Sequence, residues 1–209
     1  MQTLEDLISS LEEKSIIKTE PIKQAFLKVD RVYFVPEEFR ARAYMDTPLP
    51  IGEDQTISQP LTVALMLELL QPKSGDIVLD VGSGSGWTTA LLAEIVGKTG
   101  RVFAIERIHS LKKIGEKNVQ KLAYNNVSFL VGNGAKGWPE HAPYDKILVN
   151  AAGTRIPPDL KKQLKVPGRL IMPLSDLLGN IVVLDKTSED NFKQQFIPGF
   201  SFVPFIEKD

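Results

Sequence analysis

Hydrophobic residues recur at i, i+3, i+4 and i+7 in two stretches near the start of the chain: Leu4, Leu7, Ile8 and Leu11, then Ile22, Ala25, Phe26 and Val29. That spacing gathers each set on one face of a helix, so two short amphipathic helices are expected. Pro21 stands where the second would begin, a position at which a missing N–H costs nothing. From Arg31 to Gln55 no period is sustained, and Pro36, Pro48 and Pro50 interrupt the stretch, which reads as an ordered connecting segment. Almost every residue from Leu61 to Leu70 is apolar, which predicts a helix buried on most sides.

From Gly75 onward, short apolar runs alternate with helical patterns: strand Ile77 to Val81, helix Trp87 to Val96, strand Val102 to Glu106, helix Ser110 to Leu122, strand Val127 to Val131. Continuous apolar strands of this length suit a parallel sheet buried on both faces. A fourth strand over Lys146 to Asn150, a short helix after Pro157-Pro158 and a fifth strand over Arg169 to Met172 continue the series. Ile181 to Leu184 and Phe192 to Phe205 lack a helical period and read as antiparallel strands finishing the sheet. The fold class is therefore α/β: a doubly wound, mostly parallel, Rossmann-like sheet with antiparallel C-terminal strands and a helical N-terminal cap. Residues 1–74 form the cap and residues 75–209 the core, expected to pack as one compact unit.

Composition narrows the chemistry. With no cysteine, the chain has no thiolate zinc site, no iron–sulfur cluster and no cysteine nucleophile, and its two histidines, His109 and His141, have no partner at metal-ligand spacing. No metal is expected. The 25 basic and 26 acidic residues are interspersed, so no basic stripe points to nucleic acid or to a membrane surface. No apolar run approaches the roughly 18 residues of a membrane span, and the first residues show no basic and apolar leader pattern. A cytoplasmic monomer is expected.

The most informative stretch is Asp80-Val81-Gly82-Ser83-Gly84-Ser85-Gly86, with glycines at alternate positions where a buried strand gives way to a helix. Glycine lets the backbone turn sharply and lets a ligand approach with no Cβ in the way, and the helix behind offers free N–H groups. Glu106 stands twenty residues further on, at the end of the second core strand, where a carboxylate can accept both hydroxyl hydrogens of a ribose. Dinucleotide sites favour Gly-x-Gly-x-x-Gly, whereas the spacing here is Gly-x-Gly-x-Gly followed by Trp87, which favours S-adenosyl-L-methionine. Asp80 would serve the charged methionine end of that ligand, directly or through water. Asn133, with Gly134 at the end of the third strand, would meet the adenine edge, unless it is a plain turn asparagine.

With this turn, Glu106 and Gln55-Thr56-Ile57-Ser58-Gln59-Pro60 in view, the chain resembles the protein-L-isoaspartate O-methyltransferases nearly end to end. Val102 to Ile108, Trp138 to Asp145, Gly168 to Ile171 and the closing Phe202-Val203-Pro204-Phe205 carry the same likeness. The resemblance implies methyl transfer from S-adenosyl-L-methionine to the free α-carboxylate of L-isoaspartyl residues in damaged proteins and peptides, which starts repair through a succinimide. It implies Ser58 as the catalytic residue, with Thr56, Ile57, Val203 and Pro204 around the acceptor. The competing reading makes Ser58 the N-cap of the helix that follows, worth about 1 kcal/mol. Glu53 and Asp54, Leu61 and Thr62, and Asn133 depart from the usual pattern. The first pair is expected to set negative charge beside a carboxylate site, and the second to remove a wall of the acceptor pocket. Two alternatives therefore stand beside the main reading: a methyltransferase for another carboxylate or hydroxyl acceptor, and a non-catalytic cofactor- or peptide-binding descendant.

Overall fold

A computed structural model describes residues 2–207; the ends of the two expected units, Met1 and residues 208–209, lie outside the described residues. The amphipathic stretches form α1 (Leu4–Glu13) and α2 (Glu20–Lys28). Thr3 caps α1 reciprocally, its hydroxyl accepting from the Asp6 amide while Asp6 accepts from the Thr3 amide. The segment without a period is more structured than expected. It holds two 3-10 turns, Arg31–Phe34 and Glu37–Arg42, and then a hairpin of β1 (Leu49–Gly52) and β2 (Gln55–Ile57). Glu53 and Asp54 make its tip with φ of 54° and 56°, the left-handed pair that a tight two-residue hairpin turn needs. Strands of four and three residues are too short to register an alternation, and the tip lacks the Asn-Gly or Asp-Gly signature. The apolar run follows as α3 (Pro60–Leu70).

The alternation beyond Gly75 builds β3 (Ile77–Val81), α4 (Trp87–Val96), β4 (Arg101–Glu106), α5 (His109–Gln120), β5 (Val127–Val131), β6 (Tyr144–Val149), α6 (Pro158–Gln163) and β7 (Leu164–Pro173). Then come β8 (Ile181–Lys186) and β9 (Phe192–Ile197). The sheet order is β5-β4-β3-β6-β7-β8-β9, parallel from β5 through β7 and antiparallel for the last two strands. The expected strand over Phe192 to Phe205 stops at Ile197, because Pro198 and a left-handed Gly199 end it. The tail then returns over the sheet and, among the described residues, pairs through a bridge between Ala152 and Pro204.

Because β4 and β6 flank β3, the strand order reverses there, and a crevice opens beyond the strand ends. Alternation along β3 sends Val78 into the core under α1 to α5, and Leu79 and Val81 into the core on the other face. The first core joins Leu7, Phe26 and Leu67 of the N-terminal helices to Leu91 and Ile171. The opposite core is closed by α6, Trp138 and Phe205. Among the described residues no helix is long and apolar enough to cross a membrane.

Helix α5 lies close against the glycine turn. A Cβ on Gly115 would stand 2.7 Å from the Gly84 carbonyl oxygen, and Asn118 Nδ2 donates to the Ser85 carbonyl at 3.1 Å. Helix propensity alone makes Gly115→Ala stabilising by about 1 kcal/mol. The contact reverses the sign, so the variant should lose about 1–3 kcal/mol in urea unfolding. A gain in stability would show that turn and helix can separate freely.

Candidate active site

Strand β3 ends in a turn whose three glycines have φ of 81°, 50° and 86°, and α4 begins directly behind it. Asp80, one residue before the strand's end, lies on the face covered by α4 and is wholly buried. Its Oδ2 accepts from Thr89 Oγ1 at 2.5 Å and Thr88 Oγ1 at 3.3 Å, and its Oδ1 from Asn150 Nδ2 at 2.7 Å. Burial raises its pKa to about 6 against those hydrogen bonds, which lower it. Asp80 therefore does not reach the cleft as expected. Asn150, just past β6, forms part of the cleft wall, and with its Nδ2 held by Asp80 its Oδ1 has no hydrogen-bond partner among the described residues.

The cleft is a cavity of about 310 Å³ walled by the glycine turn, Ile105 and Glu106 at the end of β4, Gly132 and Gly134 after β5, the β1–β2 hairpin and the tail from Val203 to Ile206. Glu106 is 6% exposed; its Oε2 accepts from the Gly84 amide at 3.0 Å and its Oε1 from the Ile108 amide at 2.9 Å. Each oxygen keeps a lone pair for a ligand hydroxyl. Ser83 Oγ is buried in this wall with no partner, the kind of orphaned polar atom that a ligand satisfies. At Gly84 a Cβ would press on Ile51 of the hairpin at 3.2 Å, so the hairpin sits directly on the turn.

Not every expected ligand contact lies on this wall. Gly86 stands behind it, where its bare backbone admits α5: a Cβ there would meet the Gly115 carbonyl oxygen at 2.7 Å. Asn133 is used as a turn residue, with Oδ1 accepting from the Ala135 amide at 2.9 Å and Nδ2 donating to the Glu207 carbonyl at 2.7 Å. Its neighbours Gly132 and Gly134, not its side chain, border the cavity.

A second cavity of about 310 Å³ adjoins the first and is lined by Pro48, Thr56, Ser58, Gln59, Thr62, Asn150, Ser201, Phe202 and Val203. Thr56, Ser58, Asn150 and Val203 belong to both walls, so the cavities meet there. Ile57 and Pro204 line the first alone. The helix after Ser58 is capped by Gln59 without a side-chain bond, and the Ser58 hydroxyl makes no hydrogen bond among the described residues, so the capping reading fails. Among the described residues no charged side chain lines the second cavity. Glu53 and Asp54 face the first, and Glu53 Oε1 accepts from Ser110 Oγ at 2.7 Å; they do not set negative charge in the second as expected. Leu61 packs against the core, while Thr62 stands in the second cavity and donates weakly to Gln59 at 3.4 Å.

Gln59 and Phe202 lie in motifs that carry the family resemblance but without an assigned contact, whereas Asn150, Thr88 and Ser201 lie in no such motif. A polar residue just beyond the strand that adjoins the glycine-turn strand was the available signal for Asn150, since ligands sit beyond strand ends at an order reversal.

Residues 2–209 match the family described as protein-L-isoaspartate(D-aspartate) O-methyltransferase. This chain belongs to that family. It is similar to the protein-L-isoaspartate O-methyltransferases of Ignicoccus hospitalis, 47% identical over 98% of this chain and 97% of the relative, and of Methanopyrus kandleri, 42% identical over 98% and 92%. It is also similar to the crystal structure of a protein-L-isoaspartate O-methyltransferase from Plasmodium falciparum in complex with S-adenosyl-L-homocysteine. That likeness covers both chains fully at 25% identity, with a TM-score of 0.89.

The Asp80 carboxyl supplies a pH test. Its native pKa of about 6 lies above its ordinary value of 3.8, so its contribution to stability is complete below about pH 4 and is lost as pH rises through about 6. Measured by urea unfolding from pH 4 to 7, the stability of the wild type relative to Asp80→Asn should fall by up to about 1.4 kcal/mol per pH unit in that interval. A difference independent of pH would mean that Asp80 is ionised at its ordinary value.

Proposed function

We propose that this chain uses S-adenosyl-L-methionine to methylate the free α-carboxylate of L-isoaspartyl residues in damaged cytoplasmic proteins and peptides, the step that opens repair through a succinimide. The observation that carries this reading is the junction of two cavities at Thr56, Ser58, Asn150 and Val203, one suited to a nucleoside ligand and one neutral and rich in hydroxyls. Residues 1–74 bring most of the acceptor wall and the hairpin side of the cofactor wall, and residues 75–209 bring the rest of the cofactor wall and the tail.

The residues present fit the cofactor. Glu106 offers two acceptor oxygens to a ribose diol, Ser83 an unpartnered hydroxyl, Asn150 an unpartnered amide oxygen to an ammonium, and Gly132 and Gly134 an edge for a flat base. When bound, S-adenosyl-L-methionine supplies an electrophilic methyl group on a sulfonium. The acceptor carboxylate is already ionised at neutral pH, so this chain has no proton to remove and its task is orientation. The Ser58 hydroxyl donates to one carboxylate oxygen and leaves the other free to react. A lysine or arginine in contact would stabilise the carboxylate and blunt it; Thr56, Ser58, Thr62 and Ser201 hold it without that cost. Phe202 and Val203 exclude water, which otherwise hydrates the nucleophile.

Transfer of labelled methyl to an isoaspartyl peptide, run beside the same peptide with normal aspartate, tests the reading. Selective transfer is expected, and Ser58→Ala should lower kcat/KM about 10- to 100-fold with cofactor affinity unchanged. Equal labelling of both peptides, or of neither, would overturn it. Glu106→Gln replaces one of the two acceptor oxygens by an NH2, which must face either the Gly84 or the Ile108 amide, and should weaken S-adenosyl-L-homocysteine binding about 10-fold or more in calorimetry. An unchanged Kd would remove Glu106 from the ribose contact.

A further inference from the structure

Arg31 is the largest fully buried side chain of the molecule's described residues, at 1% exposure, and no carboxylate among them comes within ion-pair distance of it. Buried guanidinium groups ordinarily take a carboxylate partner. This one instead donates to four backbone carbonyls: Nη1 to Ala43 at 2.7 Å and Met45 at 3.3 Å, Nη2 to Thr47 at 3.0 Å and Ser58 at 3.0 Å. Its Nε has no partner, and its Cζ lies 5.3 Å from the ring centre of Trp87, the first residue of α4 and part of the cofactor wall. Asp30, adjacent in sequence, accepts from the Val32 amide and from the Tyr44 hydroxyl, and Asp46, whose charge does favour the guanidinium from beyond ion-pair distance, accepts from the Leu61 amide. Burial lowers the Arg31 pKa to about 10, which leaves it charged at neutral pH.

A carbonyl cage of this kind has a specific use. The segment from Ala43 to Thr47 leads into the β1–β2 hairpin and Ser58 leaves it; the ladder begins at the Leu49–Ile57 pair, and beyond it Asp46 Oδ1 accepts from the Leu61 amide at 2.8 Å. One planar fork reaching both backbones adds a direct tie at the open end of that hairpin. The Ser58 carbonyl is held from behind, so its side chain is presented to the junction of the two cavities with its hydroxyl unengaged. Trp87 beneath the same guanidinium ties this support to the start of α4.

We propose that Arg31 is a positioning residue for acceptor recognition, acting through the Ser58 backbone rather than by touching substrate. The proposal rests on the isoaspartyl methyltransferase reading above. One guanidinium supplies the donors for all four carbonyls, and its planar fork reaches both segments at once.

The test is steady-state methyl transfer to an isoaspartyl peptide by full-length wild type, Arg31→Lys and Arg31→Gln, with S-adenosyl-L-homocysteine affinity and thermal unfolding measured alongside. Arg31→Gln should raise the acceptor KM 10-fold or more while the cofactor KM and the affinity for S-adenosyl-L-homocysteine stay within 3-fold. Arg31→Lys keeps the charge but not the fork, and should give an intermediate acceptor KM with the same unchanged cofactor binding. If Arg31→Gln does not fold, the split in Arg31→Lys decides. Acceptor KM unchanged in the folded variants, or acceptor and cofactor parameters falling together with Tm, would overturn the proposal and leave Arg31 a structural hub. A wild type inactive on the isoaspartyl peptide would sink the underlying reading as well, which separates the two failures.

Discussion

The site is organised around a carboxylate that stands outside both cavity walls. Asp80 has no contact with water, yet it receives hydrogen bonds from the first turn of α4 through Thr88 and Thr89 and from the end of β6 through Asn150. Three neutral donors do not remove the cost of burying its charge, and its raised pKa records what remains. In exchange, one group fixes the spacing between the strand that enters the glycine turn, the helix that leaves it and the neighbouring strand. The walls of both cavities are set by that spacing, because Thr88 lines one of them and Asn150 lines both.

Charge is divided unevenly between the two cavities. The first has Glu53, Asp54, Glu106 and Arg107 on its wall, and the second has none. A nucleoside with a diol and a cationic end suits fixed acceptors. A carboxylate that must attack a methyl group is better served by neutral donors, which orient it with less loss of reactivity. The acidic hairpin tip is compatible with that division, since Ser110 at the start of α5 engages Glu53 on the cofactor side. The positive charge of Arg31 is likewise kept behind a layer of carbonyls. Acceptor selectivity on this account comes from shape and hydrogen bonding, with Thr62 adding a hydroxyl to the wall of the second cavity.

The sheet was legible from residue 75 onward because strands buried on both faces are apolar runs bounded by turn residues, and the glycine turn with Glu106 located the cofactor wall. The hairpin was not legible: its strands are too short for a period, and its tip uses Glu53 and Asp54 in a left-handed conformation that sequence preference assigns to glycine and asparagine. Arg31 was invisible for a different reason. A lone arginine in an aperiodic segment has the same sequence signature on the surface as in a carbonyl cage, and only the fold distinguishes them. Asp80 and Asn133 show the complementary error, in which the right strand end was found but the side chain faces its own scaffold. For Asp80, the alternation along β3 already put it on the side of Val78, toward α4 rather than the cleft.

The use made of Asn133 connects the cofactor wall to the end of the chain. One amide caps the turn after β5 and holds the Glu207 carbonyl, while Ala152, just beyond β6, pairs with Val203 and Phe205 on either side of Pro204. Phe205 then packs over Gly134, where a Cβ would come within 3.2 Å of its ring. The tail is thus held by the ends of two strands that lie on opposite sides of β3 and β4 in the sheet order β5-β4-β3-β6. Those ends have their native separation only when the intervening strands are paired. The tail's docking therefore depends on the pairing of β5, β4, β3 and β6, and a ligand bridging Glu106 and Gly134 would bind next to the strand ends that hold the tail. Cofactor and tail should stabilise each other through β4 and β5, without a direct contact between them being needed.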